Sequence, residues 1–160
     1  MAHPLVLAPL TDPELAEYLA SAVPDYAREA ARSEDLAPDE AQRTAVAAYA
    51  RLLPDGLRTE NQFLFSVREV ASGNRVGLLW FARKTQGART WLWIYDIIVD
   101  PAFRGRGYGE RVLGLAEEEA RARGASSVEL HVFGHNAVAR RLYERTGYQV
   151  TNLTMRKLVT

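Results

Sequence analysis

The sequence predicts a single mixed α/β (α+β) domain in which helices cover a central sheet. Apolar residues recur at helical spacing up to Leu53, switch to strand-like runs between residues 62 and 99, and return to helical spacing from residue 107. A length of 160 residues suits one domain, residues 1–160, and no repeat, low-complexity tract or Gly/Ser linker divides it.

The elements follow in order. Residues 4–8 read as a short first strand. Asp12 is placed to cap a helix with Pro13 in its first turn, and Leu15, Tyr18, Leu19 and Ala22 form its apolar face. Val23-Pro24 predicts an interruption, with helix resuming from Asp25 to about Arg32. A second helix starts near Pro38 with Val46, Tyr49 and Leu53 on one face, and Pro54-Asp55-Gly56 stops it. Residues 62–70 and 75–83 flank Ser72-Gly73-Asn74 as an antiparallel hairpin. After a turn at Thr85–Ala88, residues 89–99 form the most strand-like segment, apolar enough for a central position, and Asp100-Pro101 ends it. A helix from about Gly107 to Arg123 carries the pairs Glu117/Arg121 and Glu119/Arg123 and stops at Gly124. A strand at 126–133, a short helix at Asn136–Arg145 and a last strand at Tyr148–Lys157 complete the order β-α-α-β-β-β-α-β-α-β.

Composition excludes several classes of function. Twenty basic and twenty acidic residues cancel, which leaves no global field for nucleic acid or an anionic membrane. No apolar run approaches the roughly 20 residues of a membrane span, and the N-terminus lacks a signal-peptide pattern, so the expected location is the cytoplasm. There is no cysteine, hence no disulfide, thiolate metal site or cysteine acyl-enzyme. His131 and His135 lie at a strand-to-loop junction without a third ligand, so no metal is expected.

The informative stretch is Arg104-Gly105-Arg106-Gly107-Tyr108-Gly109, between a strand and a helix. Glycines admit a close backbone approach, and the free amides and dipole of a helix start favour a pyrophosphate, to which Arg104 and Arg106 add charge. A dinucleotide-binding loop would need its last glycine at Glu110, and a Walker loop needs Gly-Lys-Ser/Thr. Both fail on spacing.

Arg104, Gly107 and Gly109 fit the pattern Arg/Gln-x-x-Gly-x-Gly/Ala, and the chain here resembles the GNAT superfamily of acetyl-CoA-dependent N-acetyltransferases. Asn136-Ala137-Val138-Ala139-Arg140-Arg141-Leu142-Tyr143-Glu144-Arg145-Thr146-Gly147-Tyr148 is similar to that family's second signature. The likeness is tight from about residue 60 to 160; before that it rests on helix count. It implies a GNAT-like, mostly antiparallel sheet of about six to seven strands flanked by about four helices. It also implies acetyl-CoA as co-substrate, transferred to a primary amine by direct attack in a ternary complex.

Site roles follow from the resemblance. Backbone at Ile97, Ile98 and Val99 would pair with pantetheine and polarise the thioester carbonyl, where the strands at 91–99 and 126–133 splay apart. Residues Arg104 to Gly109 would hold the pyrophosphate. Asn136 would cap the short helix and touch the cofactor. Tyr143 would act as general acid, a phenol being protonated at neutral pH. Asp96, a carboxylate in an apolar strand, is the candidate base, direct or through water, with Glu60, His131 and His135 competing and a purely structural carboxylate as the alternative. The acceptor would enter over Tyr18–Arg58, with Trp91, Trp93 and Tyr95 within reach or serving only as sheet core; the mixed charges of Arg28, Glu29, Arg32, Glu34 and Asp35 select no amine class.

Two other readings compete: a non-catalytic acyl-CoA-binding sensor or regulatory module, and an acyltransferase using a longer chain. The intact loop and Tyr143 favour catalysis. A terminal strand at a sheet edge also raises a homodimer.

Overall fold

The computed structural model describes residues 3–160. Its elements are β1 (Leu5–Pro9), α1 (Asp12–Glu34), α2 (Pro38–Leu52), β2 (Gln62–Glu69), β3 (Arg75–Gln86), β4 (Arg89–Val99), α3 (Tyr108–Ala122), β5 (Ser127–Leu130) and α4 (Ala137–Arg145), with single 3-10 turns at Gly56–Arg58 and Pro101–Phe103. The five strands form one sheet in the order β1-β2-β3-β4-β5. All neighbours are antiparallel except β4 and β5, which run parallel through the α3 crossover. The mixed, mostly antiparallel sheet with four helices agrees with expectation; the strand count is five rather than six to seven.

The missing strand is the one expected at Tyr148–Lys157. Among the described residues that segment has no sheet partner, because a strand exists only through its ladder and residues 149–160 make none. The helical expectations also shift. Thr11, not Asp12, caps α1: its hydroxyl accepts from the Glu14 amide while the Glu14 carboxylate accepts from the Thr11 amide, a reciprocal capping box. Pro24 does not interrupt α1, which runs through it. Its ring holds a helical φ, and apolar contacts on both sides of it, Leu15, Tyr18 and Ala22 before and Ala27 and Ala30 after, outweigh the one missing backbone bond. On α2 the buried face is Ala41 and Ala45, whereas Val46 is half exposed. Small residues there let the two helices approach closely.

Two cores sandwich the sheet. One packs Val67, Val76, Leu79, Phe81, Leu92 and Ile94 against α3. The other packs Leu64, Leu78 and Trp80 against Leu15, Tyr18 and Ala22 of α1 and Leu53 after α2. No helix among the described residues is long and apolar enough to cross a membrane.

Candidate active site

The site is organised by an irregularity in β4. Phe81 opposes Ile94 and Trp80 opposes Asp96, so Tyr95 is an extra residue, a bulge. The bulge changes which face each side chain takes. Leu92 and Ile94 belong to the α3 core, as do Ile97 and Val99, an interval of three where regular alternation gives two. Tyr95 and Asp96 are thereby both directed to the α1 side. Tyr95 lies over Trp80 with ring centroids 4.8 Å apart, and Asp96 Oδ2 accepts a 2.7 Å hydrogen bond from the Tyr18 hydroxyl of α1.

Asp96 is partly buried, and burial raises its pKa above the ordinary carboxylate value; the bonds donated by Tyr18 and by the Ile97 amide oppose the shift without cancelling it. Burial and the Asp96 charge together push the Tyr49 phenol up to about 12, and Tyr18 rises further for the same reasons. Spacing predicts helix-face packing for Tyr18 and Tyr49, and the resemblance places them only within the Tyr18–Arg58 acceptor floor, with no tie to Asp96. The one signal in the sequence was that tyrosine, not leucine, occupies a fully buried helical position, where its hydroxyl must find a partner.

The edge of β4 that faces away from β3 is covered only in part. Its ladder with β5 runs from Trp91↔Ser127 to Ile94↔Leu130 and stops, while β4 continues to Val99. Beyond that point the parallel pair is no longer bonded, and residues Ile97 to Val99 have no ladder partner on β5. Besides their ladder with β3, two of their backbone groups have other partners: the Ile97 amide donates to Asp96, and the Val99 carbonyl accepts from Arg104 Nε at 2.9 Å.

The glycine loop takes the expected form. Gly105 (φ +74°) and Gly107 (φ +78°) are left-handed, with open space where a Cβ would stand. Gly107 caps α3 without a side-chain bond, so the first amides of the helix face outward. Gly109 is tighter: a Cβ there would lie 3.0 Å from Leu142 of α4, which fixes how closely the two helices approach. Arg106 lies over Phe103. The Tyr108 ring is buried, edge-on to Phe103 with its hydroxyl bonded to Glu69, so only its backbone remains for a ligand.

Asn136 caps α4 by accepting from the Ala139 amide at 3.2 Å. One turn further on, Tyr143 is partly buried, packs on Tyr148 at 5.7 Å and responds to the charge of Asp96; burial first and that charge second push its phenol up to about 12. The structure thus sets Tyr143 and Asp96 within electrostatic reach of each other. Of the competing bases, His131 lines the same cleft as Tyr143, whereas Glu60 and His135 do not border it. Glu60 is exposed ahead of β2, His131 meets Phe133 edge-on, and His135 stacks on Phe133 and contacts the Glu29 carboxylate. On the α1 side a chain of rings links Tyr18, Trp80, Tyr49, Tyr26 and Phe133 at centroid distances of 5.7–6.3 Å. Trp93 and Tyr95 lie beneath the Lys84 ammonium, whereas Trp91 is covered by Arg89.

Comparison with known proteins identifies the family. The chain is 33% identical over 153 residues to YycN, an N-acetyltransferase of Bacillus subtilis (strain 168) that is itself uncharacterized, covering 96% of this chain and 97% of that one. It is 31% identical over 151 residues to a second such protein of the same organism, YdgE, covering 94% and 96%. The crystal structure of YycN superposes with a TM-score of 0.91 at 32% identity, covering 98% of this chain and 99% of the other. The profile of the Acetyltransferase (GNAT) family matches residues 31–148, a span that contains the bulged strand, the glycine loop and Tyr143, and the chain belongs to that family.

Proposed function

We propose that this protein transfers the acetyl group of acetyl-CoA to a primary amine by direct attack within a ternary complex. The observation that carries the reading is the end of the β4–β5 ladder at Ile94↔Leu130 while β4 runs on to Val99 and into the glycine loop at the start of α3, with Tyr143 within reach of the Asp96 charge. Outward amides of Tyr108 to Glu110, with Arg104 and Arg106 nearby, suit a pyrophosphate. The extended backbone of Ile97–Val99 suits the amide groups of pantetheine, as a strand edge suits another strand.

The acceptor reaches the thioester from the α1 side. Asp96 takes a proton from the ammonium, directly or through water, and burial makes it a stronger base than an exposed carboxylate. The neutral nitrogen attacks the carbonyl carbon, and charge growing on the oxygen is met by backbone N–H groups near Ile98 and Val99. As the carbon–sulfur bond breaks, the thiolate takes the Tyr143 hydroxyl proton, and the second proton lost by the acylated nitrogen restores the phenol, directly or through water. A phenol held near 12 is fully protonated at neutral pH, so it is in the donating form at the start of every turnover.

The test begins with calorimetric titration of acetyl-CoA. Micromolar binding is expected for the wild type and none for Gly107→Trp, where a bulky residue at φ +78° would be strained and would fill the loop. Thiol release against a panel of amines then follows turnover. Tyr143→Phe should keep acetyl-CoA affinity and lose about 10²–10⁴-fold in kcat. A well-folded wild type that fails to bind acetyl-CoA would overturn the proposal.

A further inference from the structure

Aromatic rings collect beside Asp96 and come out to solvent there. Tyr49 of α2 lies 5.7 Å from Trp80 and 5.9 Å from Tyr26 of α1, and Tyr26 meets Phe133, beyond β5, at 6.1 Å. Three separate elements thus bring their rings together at the surface: Tyr26 is 39% exposed, and neither Tyr49 nor Phe133 is fully buried. Ring faces within reach of solvent attract cations. This wall already holds one. Tyr95 continues it from Trp80 at 4.8 Å, and the Lys84 ammonium lies 5.5 Å from the Tyr95 ring and 5.2 Å from that of Trp93.

A carboxylate accompanies the rings. Tyr18, Ala22 and Asp25 fall on one stripe of α1, the stripe that starts with the Tyr18 hydroxyl on Asp96. Asp25 stands seven residues beyond Tyr18, roughly 10 Å along the helix axis. It is exposed, and its charge acts on both Asp96 and the Tyr49 phenol, raising each. Within the chain Asp25 is paired with Arg28, but both side chains are well exposed, and such a pair holds neither firmly.

We propose that the acceptor is a diamine or a longer oligoamine: one nitrogen reacts at Asp96, and a second ammonium rests on the rings of Tyr26 and Tyr49 against the Asp25 carboxylate. The inference rests on the acetyl-transfer reading and adds the substrate class to it. The second ammonium takes no part in bond making; it holds the reacting end in place through the length of the carbon chain. A purely apolar tail could cover the same rings but would give Asp25 nothing to pair with. A tail ending in a carboxylate would meet like charge at Asp25 and the negative faces of the rings, so the same surface selects against it.

Three acceptors of equal chain length decide the matter. Cadaverine, pentylamine and δ-aminovalerate share a primary amine and end in an ammonium, a methyl or a carboxylate. By thiol release, kcat/KM for cadaverine should exceed that for pentylamine by about 10-fold, with δ-aminovalerate the poorest. Asp25→Asn and Tyr26→Leu should each pull the cadaverine-to-pentylamine ratio toward unity, chiefly through KM. Calorimetry supplies a readout without turnover: cadaverine should bind the CoA-saturated wild type, and bind Asp25→Asn more weakly. A wild-type ratio near unity, a ratio that Asp25→Asn leaves unmoved, or no calorimetric binding of cadaverine would overturn the inference. Acetylation of pentylamine in those cases would leave the acetyl-transfer reading standing, whereas a wild type that fails to bind acetyl-CoA would remove both.

Discussion

Replacing Gly77 with alanine tests how closely β3 supports the cofactor-facing end of β4. Gly77 opposes Val99 across the ladder and sits where β3 skips a partner on β2, between the pairs Val67↔Gly77 and Arg68↔Arg75. A Cβ added there would lie 2.0 Å from the Ile98 carbonyl oxygen. Carbon and oxygen in contact sit about 3.3 Å apart, so the strands must separate by roughly 1.3 Å. The obstacle is backbone and has no rotamer to escape into.

Overpacking of this kind costs about 1–3 kcal/mol, which for a domain of this size lowers the melting temperature by roughly 3–10 °C. The displaced atoms belong to Ile98 and Val99, so acetyl-CoA should also bind more weakly, and a shift near 1 Å at a reacting centre can cost about 10²-fold in kcat/KM. Gly114→Ala is the internal control. That glycine lies inside α3 with nothing within 4 Å of a built Cβ, so alanine there should stabilise by about 0.5–1 kcal/mol. Thermal melts and acetyl-CoA titrations of both variants decide the matter. Gly77→Ala melting within a degree of wild type, with unchanged affinity, would refute the reasoning.

Asp96→Asn should lower kcat by about 10²–10⁴-fold while retaining the Tyr18 bond through its amide oxygen. It should also stabilise the protein at neutral pH, by about 1 kcal/mol. The sign follows from the raised pKa: the folded state holds that proton more tightly than the unfolded one, so the burial cost appears as pH rises from the ordinary 3.8 through the folded value. The advantage of asparagine in chemical denaturation should therefore shrink toward pH 3.8, and a constant difference across pH would contradict the burial argument. Tyr18→Phe removes a bond that favours the ionised carboxylate, so Asp96 should titrate still higher. The acidic limb of kcat/KM should move up in pH with little change above it; a uniformly lower profile with an unmoved limb would reduce Tyr18 to packing.

The legible parts of this fold were those written in local pattern. The hairpin at Ser72–Asn74, the long strand ending at Asp100-Pro101 and the glycine-capped start of α3 each rest on turn residues or periodicity within a dozen positions. Three of the misreadings share a different origin. Pro24 is a local breaker overruled by apolar contacts on both sides of it. Val46 fits helical spacing, yet closeness to α1 selects the neighbouring face of Ala41 and Ala45. The run from Tyr148 to Lys157 has the composition of a strand, but a strand forms only by pairing, and among the described residues it makes no ladder. Of the site, the loop, Asn136 and Tyr143 could be placed from motifs. Tyr18 could not, since its meeting with Asp96 joins residues 78 positions apart.

The bulge at Tyr95 explains why one strand can serve both a core and a reaction. In a regular strand Asp96 would share the face of Ile94, in the apolar core beneath α3, where an ionised carboxylate has no partner. One inserted residue moves it to the opposite face, against Tyr18, while Ile97 and Val99 return to that core. The same few residues see the β4–β5 ladder end at Ile94↔Leu130. A carboxylate re-aimed and a strand edge released within three positions of each other are both consequences of the chain leaving regular β geometry there. The stability lost by leaving it is recovered below the sheet, where Leu79, Phe81, Leu92, Ile94 and α3 pack without interruption. This division of labour predicts which changes matter: those that move the bulge should affect chemistry before stability, and those in the α3 core the reverse.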